Sequence, residues 1–244
     1  MPEFEGRYLE PFFGGGAIFF HLQPDDALIS DKNPRLIETY LALRDNHEKV
    51  QAELVRYQRQ HSKEFYYNER RTVRRKMHTR AAQFIYLNRT CWNGLYRENR
   101  RGEFNVPIGT KSKVLLESDN FSALSACLKR AKIEVADFET TVDKSELGDF
   151  LFVDPPYTTA HNSNGFVKYN QELFTWEDQV RLRDSLKRAA QRGVHIVLTN
   201  ADHESIEGLY DGLSTSKRIG RSSVISGNSS GRGATAEALY LFNC

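Results

Sequence analysis

The stretch "FLFVDPPYTT", residues 150–159, changes character halfway along in a way that decides the fold. Its first four residues are all apolar, which is typical of a strand buried in a parallel sheet. The strand then meets Asp154, Pro155, Pro156 and Tyr157. Two successive prolines fix two φ angles and remove two backbone donors, so the sheet cannot continue through them. The pattern predicts a rigid turn holding a carboxylate, two carbonyls and an aromatic ring at the carboxyl end of a strand.

Strand-like and helical segments alternate along the rest of the chain. Strand patterns occur at the start of RYLEPFFGGGAIFFHL (7–22) and in DALISD (26–31), KIEVADF (132–138), VHIVLTNAD (194–202) and AEALYLF (236–242). Helical patterns cover residues 33–61 and 176–193. This alternation predicts an α/β fold with a doubly wound, mostly parallel sheet. The final strand is expected to be antiparallel and to follow a glycine- and serine-rich loop, 226–233.

Composition narrows the class of protein. The chain has 244 residues, of which 27% are charged and 39% hydrophobic, as in an ordinary globular protein. It contains no apolar run of membrane length and no signal peptide pattern. Three widely separated cysteines, Cys91, Cys127 and Cys244, match neither a zinc site nor a disulfide framework. These features predict a cytoplasmic protein with reduced thiols and no metal.

Positive charge is concentrated in one segment. Between Lys63 and Lys113 there are 13 Lys and Arg residues against 4 Asp and Glu, although the whole chain carries only +2. Roughly 100 residues separate Asp31 from the strand pattern at 132–138, whereas a complete βαβ unit needs about 30. This extra length predicts a helical, basic insert at 56–116, which divides the α/β domain into 1–55 and 117–244. Such an asymmetry indicates a surface for a polyanion, with a solvated helix face as the alternative.

A glycine-rich turn and an acid follow the first two strands. Gly14, Gly15 and Gly16 allow the backbone to approach a ligand, and Asp31, 17 residues after Gly14, can accept hydrogen bonds from ribose hydroxyls. Phe19 stands where a dinucleotide fingerprint would have its third glycine. The spacing favours a nucleoside without a pyrophosphate, although a glycine turn is more often only a turn.

Several motifs resemble those of N6-adenine DNA methyltransferases in content and order. They are EPFFGGG (10–16), SDKNP (30–34), ADF (136–138) and DPPY (154–157). In addition, FIYLNRTCWNGLYRENRRGEFNVPIG (84–109) resembles the target-recognition region of Dam-type methylases, which modify the adenine of GATC. The resemblance covers nearly the whole chain. It implies a Rossmann-like methyltransferase sheet with a target-recognition insert, and double-stranded DNA as the partner.

The resemblance assigns the chemistry of the DPPY turn. Asp154 and a carbonyl of Pro155 or Pro156 would accept the two hydrogens of the adenine N6 amine, whose lone pair is otherwise delocalised into the ring. Rigid acceptors would restore that lone pair without a strong base. Tyr157 would stack on the adenine, which must leave the duplex to react. A simple strand terminator is the alternative.

The resemblance also implies S-adenosylmethionine as cofactor. The implied pocket consists of Glu10, Phe12, Gly14, Gly16, Asp31, Asp137, Phe138 and Asp154. By this resemblance, Phe12, Gly14 and Gly16 would face the methionine part of the cofactor, and Asp31 would face its ribose. Asp137 would accept the adenine amine with Phe138 beside the ring, although an acid at a strand end can equally be a helix cap. Glu10 is as readily a structural partner.

For DNA, the implied residues lie in or beside the basic segment. They are Arg89, Trp92, Asn93, Leu95, Arg97, Asn99, Arg101, Asn105, Pro107 and Lys111. Arg97 would read a guanine, because its fork matches the O6/N7 edge. Leu95 and Pro107 would contact bases, and Trp92 would fill the space left by the flipped adenine, unless it is a core aromatic. The asparagines would bind phosphates or stabilise the loop itself. The remaining arginines and the lysine would bind phosphates.

One departure from the family affects the expected activity. The family normally begins with a segment of the form FLKWAGGK that closes the cofactor pocket, and residues 1–9 contain nothing similar. Weak cofactor binding with retained DNA binding is therefore expected, and a catalytically impaired homologue is the alternative to an active methylase. A methyltransferase for another planar amide, such as a protein glutamine, is disfavoured by Asp154 and by the basic insert. A monomeric protein of a prokaryote or phage is expected.

Overall fold

A computed structural model describes residues 3–99, 101–158, 174–222 and 234–244. Within them the strands are β1 (Tyr8–Glu10), β2 (Ala27–Asp31), β3 (Ala131–Val135), β4 (Phe150–Val153), β5 (His195–Ala201), β6 (Thr215–Ser222) and β7 (Ala234–Phe242). The α-helices are α1 (Ala17–Leu22), α2 (Pro34–Gln60), α3 (Lys63–Arg71), α4 (Met77–Thr90), α5 (Phe121–Leu128), α6 (Phe138–Val142), α7 (Trp176–Gln191) and α8 (Glu204–Tyr210). The chain forms two compact units, one of Met1–Lys32 with Glu134–Cys244 and one of Asn33–Ile133.

The first unit is organised around the sheet, whose strand order is β3-β2-β1-β4-β5-β7-β6. β1 pairs in parallel with β2 and with β4, and β4 pairs in parallel with β5. β7 is antiparallel to both β5 and β6. The predicted α/β fold with a mostly parallel sheet and an antiparallel final strand is therefore confirmed. The predicted loop at 226–233 lies outside the described residues.

The core of this unit forms because apolar strands meet an amphipathic helix. Leu151, Val153 and Leu198 of the sheet are buried together with Leu182 and Leu186 of α7. The Thr175 side chain and Asp178 form a capping box that starts α7, and Gly193, with φ +86°, allows the chain to turn after it. These local signals match the helix predicted at 176–193.

The second unit is helical, with α2 packed against α4 and α5. α2 starts at Pro34 after the side chain of Asn33 caps it, and it is kinked at Asn46. A buried carboxylate, Glu69, accepts hydrogen bonds from the Tyr57 hydroxyl (2.8 Å) and from Arg74. The predicted insert, 56–116, lies within this unit, which also includes α2.

No helix among the described residues is long and apolar enough to cross a membrane. The same residues include no group of three or more His, Cys, Asp or Glu side chains arranged to hold a metal ion.

Candidate active site

The site begins at the carboxyl ends of the parallel strands, where side chains from neighbouring strands come together. The register pairs Val153 of β4 with Leu198 of β5, so the next residues, Asp154 and Thr199, are neighbours. Thr199 Oγ1 donates a hydrogen bond to Asp154 Oδ1 at 2.5 Å, and the Tyr157 hydroxyl lies 3.5 Å from the same oxygen. An exposed carboxylate is thus held in one orientation by the adjacent strand.

A network of hydrogen bonds between buried polar groups holds the turn after Asp154. Thr158 Oγ1 donates to the Phe174 carbonyl at 2.7 Å, and Gln179 of α7 donates to the Thr158 carbonyl at 3.3 Å. Asn200 of β5 donates to the Gln179 side chain at 3.2 Å. These buried bonds join the turn to a helix and a strand, so the DPPY segment is rigid for reasons beyond its two prolines.

The glycine turn and the acid of the second strand are joined directly. Gly14 and Gly16 have φ values of +47° and +63°, which favour glycine. The Gly14 N–H donates to Asp31 Oδ2 at 3.1 Å. A Cβ added to Gly15 would meet nothing within 4 Å, so the turn borders open space. The structure therefore brings together the glycines and the acid that the sequence predicted for one ligand.

Asp137 and Phe138 lie at the start of α6. Asp137 accepts from the Glu139 N–H at 3.1 Å as a helix cap, and from both terminal nitrogens of Arg181 at 2.6 and 3.0 Å. The Arg181 hydrogen bonds lower the pKa of Asp137. Phe138 is buried, with Phe12 stacked at 5.3 Å between ring centroids and the Arg181 guanidinium at 4.2 Å. The helix-cap alternative is confirmed, and ligand contact by either residue stays a prediction.

Glu10 is a buried carboxyl at the end of β1. It accepts a hydrogen bond from the Tyr8 hydroxyl at 2.7 Å, which supports the structural role that the sequence left open. Burial raises the pKa of Glu10 to about 8, and the negative charge of Asp154 adds to this shift. Neutral pH therefore leaves Glu10 largely protonated.

This shift predicts a pH dependence of stability. The folded chain holds the Glu10 proton up to about pH 8, whereas the unfolded chain releases it near 4.5. Protonated Glu10 therefore contributes its whole share to the free energy of unfolding below pH 4.5. As the pH rises from 4.5 towards 8, this contribution is lost, and the free energy of unfolding falls by a few kcal/mol at most. Glu10→Gln should remove this loss. Urea unfolding of both proteins between pH 5 and 8 measures it, and parallel pH curves would contradict the prediction.

In the second unit, a hairpin carries most of the predicted DNA-binding residues. Glu98 and Phe104 form an antiparallel bridge, and Asn99 accepts from the Arg101 and Glu103 N–H groups at 2.9 and 3.0 Å. The Trp92 N–H donates to the Pro107 carbonyl at 2.9 Å. We name residues 95–99 and 101–108 the recognition hairpin. Its fold shows that Asn99 holds the loop, one of the two roles predicted for the asparagines.

The sequence of the chain matches one protein family over most of its length. The family described as D12 class N6 adenine-specific DNA methyltransferase matches residues 1–224. The chain belongs to this family. The motifs of both units lie within the matched range, so the predicted family is confirmed and DNA is the class of substrate.

Individual relatives agree. The Type II methyltransferase M1.LlaDCHI of Lactococcus lactis subsp. cremoris is 38% identical over 98% of this chain and 87% of its own length. The Type II methyltransferase M.MjaIII of Methanocaldococcus jannaschii is 33% identical over 88% of this chain and 81% of its own. A DNA adenine methylase of Vibrio cholerae serotype O1 is 30% identical over 98% and 88%. The likeness therefore extends through both units of this methyltransferase.

The predicted DNA-binding residues of the methyltransferase differ in how far their side chains are exposed to solvent. The exposed members are Trp92, Asn93, Arg97, Arg101, Pro107 and Lys111, and the half-buried ones are Arg89, Leu95, Asn99 and Asn105. Trp92 is 50% exposed, so the core-aromatic alternative is wrong. Arg89 donates to both oxygens of Asp119 at 2.6 and 2.7 Å and to the Val114 carbonyl at 2.7 Å. A phosphate would have to compete with these partners for Arg89.

Two residues of the candidate site were not predicted from the sequence. Thr199 was within a predicted strand, and its place at the carboxyl end was a usable signal. The Arg181 guanidinium forms ion pairs with Asp137, Glu139 and Asp178. Arg181 lies in the middle of α7, away from any motif. Nothing in the helical pattern distinguishes Arg181 from the other basic residues of that helix.

Proposed function

We propose that the protein transfers a methyl group from S-adenosylmethionine to N6 of an adenine flipped out of a GATC duplex. One observation carries this proposal. Asp154 stands at the end of β4 with its carboxylate held by Thr199, at the same edge of the sheet as the Gly14–Asp31 pair. A reacting amine and a nucleoside cofactor both require groups at this edge.

The residues present fit the proposed cofactor. The glycine turn borders open space at Gly15, so a ligand can approach the backbone closely. Asp31 and Asp137 supply carboxylates that accept hydrogen bonds from ribose hydroxyls and from an adenine amine. When bound, S-adenosylmethionine supplies an electrophilic methyl group on its sulfonium.

In this proposal the chain catalyses the reaction by holding hydrogen-bond acceptors in fixed positions around the reacting amine. Asp154 and a proline carbonyl accept hydrogen bonds from the two N6 hydrogens of adenine, which localises the nitrogen lone pair for attack on the methyl group. Once the N–C bond has formed, the nitrogen releases one of these hydrogens as a proton, for which the Asp154 carboxylate is the acceptor within reach. Thr199 keeps the carboxylate from rotating, and the Thr158–Gln179–Asn200 chain keeps the turn in place. Positions fixed before the reaction avoid reorganisation during it. Tyr157 stacks on the flipped base, and Trp92 occupies the vacated space in the duplex.

The function is tested by methylating synthetic duplexes with S-adenosylmethionine and identifying the modified nucleoside by mass spectrometry. We expect N6-methyladenine in a duplex containing one GATC. A duplex of the same composition with the sequence scrambled, and one already methylated at both GATC adenines, should gain none. Methylation of another base, or of all adenines equally, would contradict the proposal.

Sequence reading is tested at Arg97. Arg97→Ala should cost about 1–3 kcal/mol of discrimination at one guanine, because a bidentate contact to the guanine edge is lost. Competition binding with duplexes altered at each guanine in turn measures this. The matched control is Arg101→Ala, an exposed arginine of the same hairpin, which should weaken binding to every sequence and reduce the salt dependence. Equal losses on specific and random DNA for Arg97→Ala would place Arg97 on the backbone.

A further inference from the structure

The recognition hairpin contains a side-chain contact between two residues that were assigned separate roles. Arg97 Nε donates to Asn105 Oδ1 at 2.8 Å. The Asn105 N–H also donates to the Arg97 carbonyl at 3.1 Å, so the two residues face each other across the hairpin. The backbone bond fixes the register, and the register places the amide oxygen beside the guanidinium.

Two other arginines of the same unit, Arg89 and Arg74, are held by carboxylates. Arg89 is bound by both oxygens of Asp119, and Arg74 by both oxygens of the buried Glu69. A carboxylate fixes an arginine but offsets its charge. The Asn105 amide fixes Arg97 and leaves the positive charge intact. This is the arrangement expected of an arginine reserved for an anionic or electron-rich ligand rather than for the fold.

The contact also selects which donors of Arg97 face a ligand. With Nε occupied, the two terminal nitrogens form the remaining fork, and within the described residues they make no hydrogen bond or ion pair. Their parallel N–H bonds match the O6 and N7 acceptors of guanine. Holding the guanidinium plane beforehand also reduces the rotamer entropy lost on binding.

We infer that Asn105 is a positioning residue that orients Arg97 end-on for guanine, and so contributes to sequence discrimination without touching DNA. This rests on the proposed function, in which Arg97 reads a guanine. It gives Asn105 a role different from a phosphate contact. Its effect should therefore depend on the base that Arg97 reads and on Arg97 itself.

The experiment compares DNA duplexes that differ in one atom. In 7-deazaguanine a carbon replaces N7, so one acceptor of the fork is lost. For each protein, the N7 ratio is the Kd for the 7-deazaguanine duplex divided by the Kd for the GATC duplex. We expect an N7 ratio of about five or more for the parent and about one for Arg97→Ala. Asn105→Ala should bring the ratio close to that of Arg97→Ala, and should add no further loss of affinity in the Arg97→Ala background.

Two more variants separate orientation from folding of the loop. Asn105→Asp keeps an acceptor for Arg97 Nε but offsets its charge, so affinity should fall on both duplexes while the N7 ratio stays near that of the parent. Glu103→Ala removes the carboxylate that accepts a hydrogen bond from the Asn99 amide at 2.8 Å in the same hairpin, and should also leave the N7 ratio unchanged. Thermal unfolding of each variant checks that the unit is folded.

The results that would overturn the inference are distinct from those that would overturn the proposed function. A parent-like N7 ratio in Asn105→Ala, with weaker binding to both duplexes, would make Asn105 a direct backbone contact. Loss of the ratio in Asn105→Asp as well would show that the held acceptor is not what matters. A high N7 ratio in Arg97→Ala would remove the guanine contact of Arg97, on which the inference depends. The methylation assay tests the reaction independently of all three.

Discussion

Asp154→Ala should abolish methyl transfer, reducing the rate to below about one-hundredth of the parent's. In the proposed mechanism the carboxylate accepts a hydrogen bond from the reacting amine, and the next four residues of the turn, 155–158, carry no carboxylate that could replace it. Asp154 is exposed, so the substitution removes little packing, and the fold and DNA affinity should be retained. Single-turnover incorporation of labelled methyl into the GATC duplex measures the rate, and band-shift titration measures the affinity.

The matched control for this variant is Asp184→Ala. Asp184 is an exposed acid of the same unit, paired with its neighbour Arg183 at 2.6 Å on the surface of α7. Such a pair contributes little to stability, so this variant should methylate at the parent's rate. If Asp154→Ala also transfers methyl groups at a rate near the parent's, the assigned role of Asp154 is wrong.

Local patterns predicted the sheet because most of its strands are short apolar runs with clear ends. They did not predict β6, whose sequence TSKRIGRS lies at the edge of the sheet. An edge strand pairs on one side only and carries polar side chains that need no periodic apolar face. The antiparallel β7 was predicted from the alternation in AEALYLF (236–242), and in the structure the alternate residues Ala238, Tyr240 and Phe242 are buried.

The candidate site was predictable where one residue type follows one strand, as for Asp31 and Asp154. Contacts that depend on register between distant segments were not. Thr199 meets Asp154 only because β4 and β5 pair in one particular register. The charge count between Lys63 and Lys113 likewise could not tell that Arg74 and Arg89 are occupied by Glu69 and Asp119.

The second large effect is expected at the glycine turn. Gly16 has φ +63°, and a Cβ there would lie 2.6 Å from the Phe13 ring, which is buried and cannot easily move aside. Gly16→Ala should therefore combine backbone strain of about 1–2 kcal/mol with a steric clash. The turn must shift, and with it the Gly14 N–H that binds Asp31. We expect the protein to unfold at a lower temperature and to bind S-adenosylmethionine at least about tenfold more weakly.

Two other glycines separate the causes. Gly15→Ala has no atom within 4 Å of its Cβ, so it should unfold at nearly the parent's temperature. Gly208 lies in α8 with equally open surroundings, so Gly208→Ala should unfold at a slightly higher temperature than the parent, because alanine favours the helix, and should bind the cofactor as the parent does. Calorimetric titration and thermal unfolding of the three variants give both quantities. If Gly16→Ala and Gly15→Ala unfold at the same temperature, the turn is not strained by a side chain at Gly16. If Gly16→Ala instead unfolds early but binds S-adenosylmethionine as the parent does, the glycine turn is structural and the cofactor binds elsewhere.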